Sequence, residues 1–252
     1  MSSCYNFHKI GPDEKSKDSF SHLLSVDTAT QACSVAISHG NSLVVENTNI
    51  TCQTHSRHLL NMIQHALVTA RLKLSDLDGF VVTKGPGSFT GLRIGLSTVK
   101  GLAMAVGKPM VGVSYLQCLA LQSGVKNGLV CTVIDARKSE CYYALYRFGN
   151  SGLQTVVSES VGSLKNMVEK ITEPCLFIGN GFQPYQKQLY QSLGQLALFA
   201  PDFQNILRAY TAIWAGRSRF LEGCGNQLDS LTPEYIRKSD AQINIVKQLF
   251  NN

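Results

Sequence analysis

Two successive stretches of this 252-residue chain repeat one order of elements, and that order constrains the fold strongly. The first begins at Leu23 with strands joined by a polar turn and then alternates helices with further strands. The second begins after residue 122 and follows a similar course. Strands that alternate with helices pack as a sheet flanked by helices. We therefore expect an α/β protein with a duplicated core: a flexible extension over 1–22, a first lobe over 23–122 and a second lobe over 123–252.

The composition is that of a globular chain with enough apolar material for a core. Hydrophobic residues make up 44% of the sequence and charged residues 16%, a balance that disfavours extensive disorder. No window approaches the roughly 18 consecutive apolar residues of a membrane span. The net charge of +6 is shared evenly between the two halves of the chain. No basic block therefore points to direct recognition of nucleic acid.

The cysteines and the N-terminus indicate the compartment. The chain has eight cysteines and no pair with CxxC spacing. Several, such as Cys33 and Cys131, lie in apolar runs where a reduced cysteine acts as a small hydrophobic residue. The polar N-terminus lacks the apolar segment of a signal peptide. His55 and His58 could share a helix face, but no third metal ligand accompanies them. We expect a cytoplasmic protein without a metal site or a cofactor.

Two acidic turns close apolar strands at matching places in the two blocks. Asp27 and Thr28 end the first strand, and Asp135 ends the strand LVCTVID of the second block. Such turns present backbone N–H groups to an anion, and their carboxylate can hold a hydrated Mg²⁺. They also commonly satisfy their own backbone hydrogen bonds. The two turns are expected to face each other across a cleft, and both interpretations stay open.

The segment KGPGSFTGLR, from Lys84 to Arg93, is a glycine-rich turn that opens a helix. It is not a Walker A loop, which would need lysine after its last glycine, where this chain has Leu92. Backbone N–H groups at a helix start can bind an anion. Gly91 and Gly95 lie one helical turn apart, however, and such small residues also permit close packing. Packing is the favoured interpretation.

Several segments resemble one known family, and they do so in the same order. The run GPGSFTGLRIG carries most of the resemblance, and LLSVDTATQACSVAI, IDARKSECYYALY, IGNGF and PEYIRK add to it. From about Leu23 to Lys238 the chain resembles the TsaB (YeaZ) family of bacterial tRNA-modification proteins. The resemblance implies the actin-like ATPase (ASKHA) fold, with two lobes of mixed sheet flanked by helices and a reduced second lobe.

The resemblance also implies a function. Members of this family are catalytically silent partners of a paralogous subunit, TsaD, and work with the ATPase TsaE. Together they form the N6-threonylcarbamoyl group on the adenosine next to the anticodon in tRNAs that read codons starting with A. No catalytic residue is therefore expected here, and tRNA is expected to bind only through the complex. The helices that bind TsaD could form a homodimer when TsaD is absent.

The partner interface is expected on two helices of the first lobe, in a four-helix bundle with TsaD. Helices predicted over Thr54–Arg71 and from Thr90 or Gly91 to Val106 carry apolar stripes wider than one buried face requires. The residues predicted at or just under the interface are Leu59, Leu60, Ile63, Leu67, Leu92, Arg93, Leu96 and Val99.

Proteins of the implied fold bind nucleotide between the lobes. A vestigial nucleotide site is therefore expected at Asp27, Thr28, Asp135, Gly179 and Gly181. Two rival functions stay open. A kinase-like enzyme would use both aspartates with Mg²⁺ and ATP, although the second block lacks an extended glycine-rich phosphate loop. A glycoprotease-like peptidase has less support, because the sequence contains no recognisable catalytic residues.

Overall fold

The computed structural model describes residues 20–51, 53–150, 152–223, 228 and 230–237. The first sheet has the strand order β3-β2-β1-β4-β5. Strands β1 to β3 are antiparallel neighbours, whereas β4 and β5 run parallel to β1. The elements of this part of the chain are β1 (His22–Asp27), β2 (Ala32–His39), β3 (Ser42–Ile50), α1 (Leu59–Ala70), β4 (Gly79–Gly85), α2 (Phe89–Val106), β5 (Met110–Ser114) and α3 (Tyr115–Gln122).

The second sheet repeats this topology with the order β10-β9-β6-β7-β8. Three antiparallel strands are again followed by two strands parallel to the first of them. Its elements are β6 (Gly128–Asp135), β7 (Cys141–Gly149), β8 (Gly152–Gly162), α4 (Leu164–Val168), β9 (Cys175–Ile178), α5 (Gln186–Leu193), β10 (Ala197–Phe199) and α6 (Ala209–Leu221).

The repeated topology confirms the duplicated α/β core and the two-lobed actin-like fold. The second lobe is reduced in its helices rather than in its number of strands. Helices α1 and α2 have 12 and 18 residues, whereas their counterparts α4 and α5 have 5 and 8. Among the described residues, no helix is long and apolar enough to cross a membrane.

Side chains alternate between the two faces of each strand. The central strands of the first sheet are buried on both of these faces. On β1, Leu24 and Val26 join the core beneath α1 and α2, and Leu23 joins a second core on the opposite face. The second core continues through α3 and α6 to the second sheet, so the two lobes share it. Free cysteines are buried in these two cores and in a third core within the second lobe, and the apolar runs around several of them predict this burial. They are Cys33, Cys118, Cys131, Cys141 and Cys175.

Helix α6 belongs to the second block of sequence but packs on the first sheet. Ser25 Oγ donates a hydrogen bond of 2.6 Å to the carbonyl oxygen of Ala209. Gly216 allows the close approach, since a Cβ there would lie 2.9 Å from both γ-methyls of Val81. The chain after residue 122 therefore contributes to both lobes, and the division of the sequence does not coincide with the division in space.

Several element boundaries differ from the prediction. The helix predicted over Thr54–Arg71 begins with a 3-10 turn and becomes α-helical only at Leu59. The sequence also predicts a helix over Asn205–Leu221, but the observed helix begins at Ala209. The Asn205 side chain instead accepts a hydrogen bond from the Gly179 N–H (2.9 Å). Strands β8 and β10 were not predicted.

Part of the predicted N-terminal extension is packed. Residues 1–19 lie outside the described residues. Phe20, however, stacks on Phe220 with ring centroids 4.7 Å apart, and His22 is the first residue of β1. The ordered first lobe therefore begins before Leu23.

The approach of α6 to the first sheet predicts the effect of a methyl group at Gly216. Gly216→Ala is expected to lower the free energy of unfolding by about 1–3 kcal/mol, because the new methyl is forced against Val81 in a packed core. Gly101→Ala is the matched control, since Gly101 also lies within a helix and a Cβ there has nothing within 4 Å. That control should gain up to about 1 kcal/mol from helix propensity. Denaturant unfolding measures both changes, and an equal gain for the two variants would contradict the packing.

Candidate functional site

The first acidic turn is buried at the carboxyl end of β1. Asp27 is completely buried. Its Oδ1 accepts hydrogen bonds from Thr83 Oγ1 (2.6 Å) and from the N–H of Ala29 (3.1 Å). Among the described residues, its Oδ2 has no hydrogen-bond partner. Burial raises the pKa of Asp27 to about 6, and the hydrogen bond from Thr83 opposes this rise only in part.

The start of α2 covers this turn. Thr28 is buried, and its Oγ1 donates a hydrogen bond of 2.8 Å to the carbonyl oxygen of Gly91. A Cβ at Gly91 would lie 2.1 Å from the carbonyl oxygen of Thr28, and one at Gly95 would lie 2.2 Å from Thr28 Oγ1. At Gly87 a Cβ would lie 2.3 Å from the carbonyl oxygen of Ala29. These glycines therefore permit close packing, which is the interpretation favoured from the sequence. The start of α2 packs on the turn after β1, however, and not on another helix.

The second acidic turn is open. Asp135 is exposed at the end of β6, and its Oδ1 accepts a hydrogen bond of 2.8 Å from the Arg137 N–H. Gly179 and Gly181 follow β9 and pack directly on β6. A Cβ at Gly179 would lie 2.2 Å from the carbonyl oxygen of Val133, and the Gly181 N–H donates to the same oxygen (3.0 Å). These two glycines are therefore required for the contact between β9 and β6.

The five residues predicted as a vestigial nucleotide site form two groups. Asp27 and Thr28 are enclosed in the first lobe, whereas Asp135, Gly179 and Gly181 lie together at the carboxyl end of β6. The side chains of Asp27 and Thr28 are completely buried, so neither faces an open cleft. This burial argues against the kinase-like alternative, which needs Asp27 to face a metal–ATP complex. The assignment of a vestigial site stays a prediction.

The histidine pair also has a local structural use. His55 Nε2 lies 2.8 Å from the carbonyl oxygen of Thr30, within hydrogen-bond distance, and so ties the turn before α1 to the first lobe. Within the part of the chain that the structure describes, no group of three or more potential metal-ligating side chains is found.

The structure divides the eight predicted interface residues by burial. Arg93 and Leu60 are exposed, and Leu67 is half-buried. The remaining five are buried in the core of this chain: Leu59, Ile63, Leu92, Leu96 and Val99. They lie beneath the surface of α1 and α2 and do not form it. Glutamate at Ile63 or Leu96 would therefore disturb folding as well as any partner contact.

Sequence reasoning missed two exposed residues on these helices. Val68 on α1 is 69% exposed and Met104 on α2 is 61% exposed. Leu60, which is 57% exposed, and Val68 are eight residues apart, so both lie on one side of α1. The sequence contains this spacing. The buried apolar residues lie on a neighbouring stripe of the same helix, so the sequence alone did not separate the exposed stripe from the buried one. On α2 the exposed small residues Ser97, Gly101 and Ala105 follow each other at intervals of four.

The pKa of Asp27 predicts a pH-dependent effect of Asp27→Asn on stability. In the folded state the pKa rises from 3.8 to about 6, so ionisation disfavours folding. The stabilising effect of the protonated group is complete below the unfolded pKa and is lost as the pH rises through about 6. Asparagine cannot ionise. The stability of Asp27→Asn relative to the native chain should therefore increase by about 2 kcal/mol between pH 4 and pH 7.5.

Urea unfolding of both proteins at pH 4, 6 and 7.5 measures this difference. Asp135→Asn is the control, because it makes the same substitution at the matching turn of the second lobe, where the side chain is exposed. A difference between Asp27→Asn and the native chain that stays constant over this pH range would contradict the raised pKa.

Comparison with known proteins places this geometry in a family. A family model described as TsaD, tRNA N6-adenosine threonylcarbamoyltransferase, matches residues 47–245. TsaB of Bacillus subtilis, a tRNA threonylcarbamoyladenosine biosynthesis protein, is 27% identical over 87% of this chain and 96% of its own length. TsaB of Escherichia coli is 33% identical over 65% of this chain and 73% of its own length.

A solved structure agrees with these relatives. YeaZ from Pseudomonas aeruginosa superposes with a TM-score of 0.71 at 28% identity, over 85% of this chain and 99% of YeaZ. The range matched by the family model contains the glycine-rich start of α2 and the second acidic turn. The chain therefore belongs to the TsaB (YeaZ) family, within the wider group that the threonylcarbamoyltransferase model describes.

Proposed function

We propose that this chain is the non-catalytic partner subunit in the formation of the N6-threonylcarbamoyl group on tRNA. The modified base is the adenosine next to the anticodon in tRNAs that read codons starting with A. The chain pairs with the catalytic subunit TsaD and acts together with TsaE, in the cytoplasm. Its family supports the pathway, since the curated relatives are named for tRNA threonylcarbamoyladenosine biosynthesis.

The observation that carries this proposal is the exposed apolar surface of α1 and α2. Leu60, Val68 and Met104 are all more than half exposed there. Large apolar side chains grouped on a folded surface are typical of a protein–protein contact. Both helices pack on the same face of the first sheet, because their buried side chains belong to one core. They therefore present a paired-helix surface, defined here as the α1/α2 surface.

The shape of the α1/α2 surface suits another pair of helices. Ser97, Gly101 and Ala105 have small side chains, so the backbone of a second helix can approach α2 closely. Met104, beside them, has a flexible side chain that adapts to the groove of a facing helix. A partner with the same fold, such as a paralogue, offers a matching pair of helices and completes a four-helix bundle.

The predicted interface residues take two roles in this proposal. Leu60, Leu67 and Arg93 reach the α1/α2 surface and would contact the partner directly. The five buried residues, from Leu59 to Val99, give the surface its rigidity from beneath. A preorganised surface loses less conformational entropy on binding than a mobile one.

Two features support the non-catalytic role, and a third supports contact with tRNA through the complex. Asp27 and Thr28 are enclosed, so the acidic turn of the first lobe offers no open site. Asp135 is exposed, and its Oδ1 accepts a bond from its own turn. The even charge distribution gives no basic block for tRNA, which supports contact with tRNA through the complex. The same α1/α2 surface could form a homodimer when TsaD is absent.

A charge on the α1/α2 surface tests the interface. Val68→Glu is expected to weaken binding to TsaD about 100-fold, because an unpaired interface charge costs several kcal/mol. Val156→Glu is the matched control, since Val156 is 46% exposed on the edge strand β8 of the other lobe. Circular dichroism should show both variants folded. Calorimetric titration with TsaD gives the affinities, and equal affinity of the two variants would place the interface elsewhere.

Reconstitution tests the role of the chain in the reaction. With an activated threonylcarbamoyl donor supplied, TsaD, TsaE, ATP and unmodified tRNA should yield modified tRNA only when this chain is added. Val68→Glu should lower that yield in proportion to its weaker binding, and Val156→Glu should not. Threonylcarbamoyl transfer or peptide-bond cleavage by the isolated chain would overturn the proposal of a non-catalytic subunit.

A further inference from the structure

A short C-terminal segment crosses from the first lobe to the second. We define residues 231–237 as the C-terminal strap. It contacts the carboxyl end of β4 in the first lobe and the turn after β6 in the second lobe. Its contacts with the two lobes are made by different residues, which can be changed separately.

The middle of the strap is attached to the first sheet. The Glu234 N–H donates a hydrogen bond of 2.7 Å to the carbonyl oxygen of Lys84, and the two side chains form an ion pair at 2.8 Å. The contact is close, since a Cβ at Gly85 would lie 2.6 Å from the carbonyl oxygen of Glu234. Leu231 lies against Gly112 of β5 in the same way, because a Cβ there would lie 2.7 Å from the Leu231 side chain.

The next strap residue is attached to the first turn of α2. Tyr235 stacks on Phe89 with ring centroids 4.5 Å apart. Arg93 Nε donates a hydrogen bond of 3.0 Å to the Tyr235 hydroxyl, and the Arg93 guanidinium lies 3.9 Å from the centre of the Phe89 ring. Such cation–π and stacking contacts hold side chains in a defined orientation. Tyr235 thus orients Arg93, which lies at the edge of the α1/α2 surface.

The end of the strap is attached to the second lobe. Arg237 Nη1 donates a hydrogen bond of 3.1 Å to the carbonyl oxygen of Ala136 and forms an ion pair with Glu140, also at 3.1 Å. The Arg237 side chain is only 19% exposed. The turn that it grips is strained, because Arg137, Lys138 and Ser139 all have positive φ angles. Attachment to Arg237 helps to hold this turn in place.

We propose that the C-terminal strap is a clasp that couples the second lobe to the first turn of α2. The shared core around α3 and α6 already joins the lobes, and lobes joined through one core can still move as a hinge. The strap adds a second connection, between the ends of β4 and β6, and restricts that motion. In consequence Arg93 and the start of α2 keep a fixed orientation for a partner. This last step rests on the proposed function, whereas the coupling itself does not.

Hydrogen exchange of the isolated full-length chain tests the coupling. Arg237→Ala should speed amide exchange about five- to tenfold at residues 87–93, because the strap loses its second-lobe attachment and opens more often. Glu140→Gln changes only the second lobe and should give a smaller increase at the same amides. Arg147→Ala is the matched control, since Arg147 forms an ion pair with Glu173 wholly within the second lobe.

The three variants distinguish the proposed clasp from an unspecific change in the second lobe. Faster exchange at residues 87–93 in both Arg237→Ala and Glu140→Gln, but not in Arg147→Ala, supports the clasp. Unchanged exchange there in Arg237→Ala, or an equal increase in Arg147→Ala, overturns it. Circular dichroism and the amide exchange of α1 report whether any variant has lost its fold.

Binding to TsaD tests the link with the α1/α2 surface. Arg237→Ala should weaken this binding about fivefold, less than Val68→Glu does. Unchanged affinity, with faster exchange at residues 87–93, overturns the link to the partner. Failure of the native chain to bind TsaD would overturn the proposed function and would leave the exchange result to decide on the clasp.

Discussion

The contact between the start of α2 and the turn after β1 is the interaction on which the other functional features depend. Three glycines bring the helix so close that any side chain would collide with the backbone or hydroxyl of Thr28 or with Ala29. The hydrogen bond from Thr28 to Gly91 fixes the direction of α2. This one contact buries Thr28 and sets the start of α2 against the turn that follows Asp27. Burial of the acidic turn and the position of α2 on the first sheet are therefore linked.

This arrangement fits the partner role proposed for the chain. The second lobe retains the complete strand order of the first, but its helices are much shorter. The first lobe retains long helices, and their outer surface carries Leu60, Val68 and Met104. Both the shared core around α3 and α6 and the C-terminal strap join the lobes. In the proposed complex, the apolar surface of these helices would hold the partner.

Much of the fold could be predicted from local patterns, and the failures have identifiable causes. Strand β8 was missed because it lies at the edge of its sheet, where exposed polar residues interrupt the apolar alternation. Strand β10 has three residues and exists through its parallel pairing with β9, which no local pattern reveals. The start of α6 was placed four residues too early, because the side chain of Asn205 binds a distant backbone group instead of continuing a helix.

The sequence by itself determined the duplicated order of elements, the family and the two helices proposed for partner binding. Hydrophobic periodicity and a specific glycine motif are local properties, and a chain carries them whatever its final packing. Only the tertiary structure decided which apolar residues of α1 and α2 are buried and which reach the surface, because both kinds lie on adjoining stripes of the same helices. It also decided that Asp27 is buried, that α2 packs on the turn after it and that the strap joins the lobes. Those contacts link residues far apart in the chain, and their geometry depends on the whole fold.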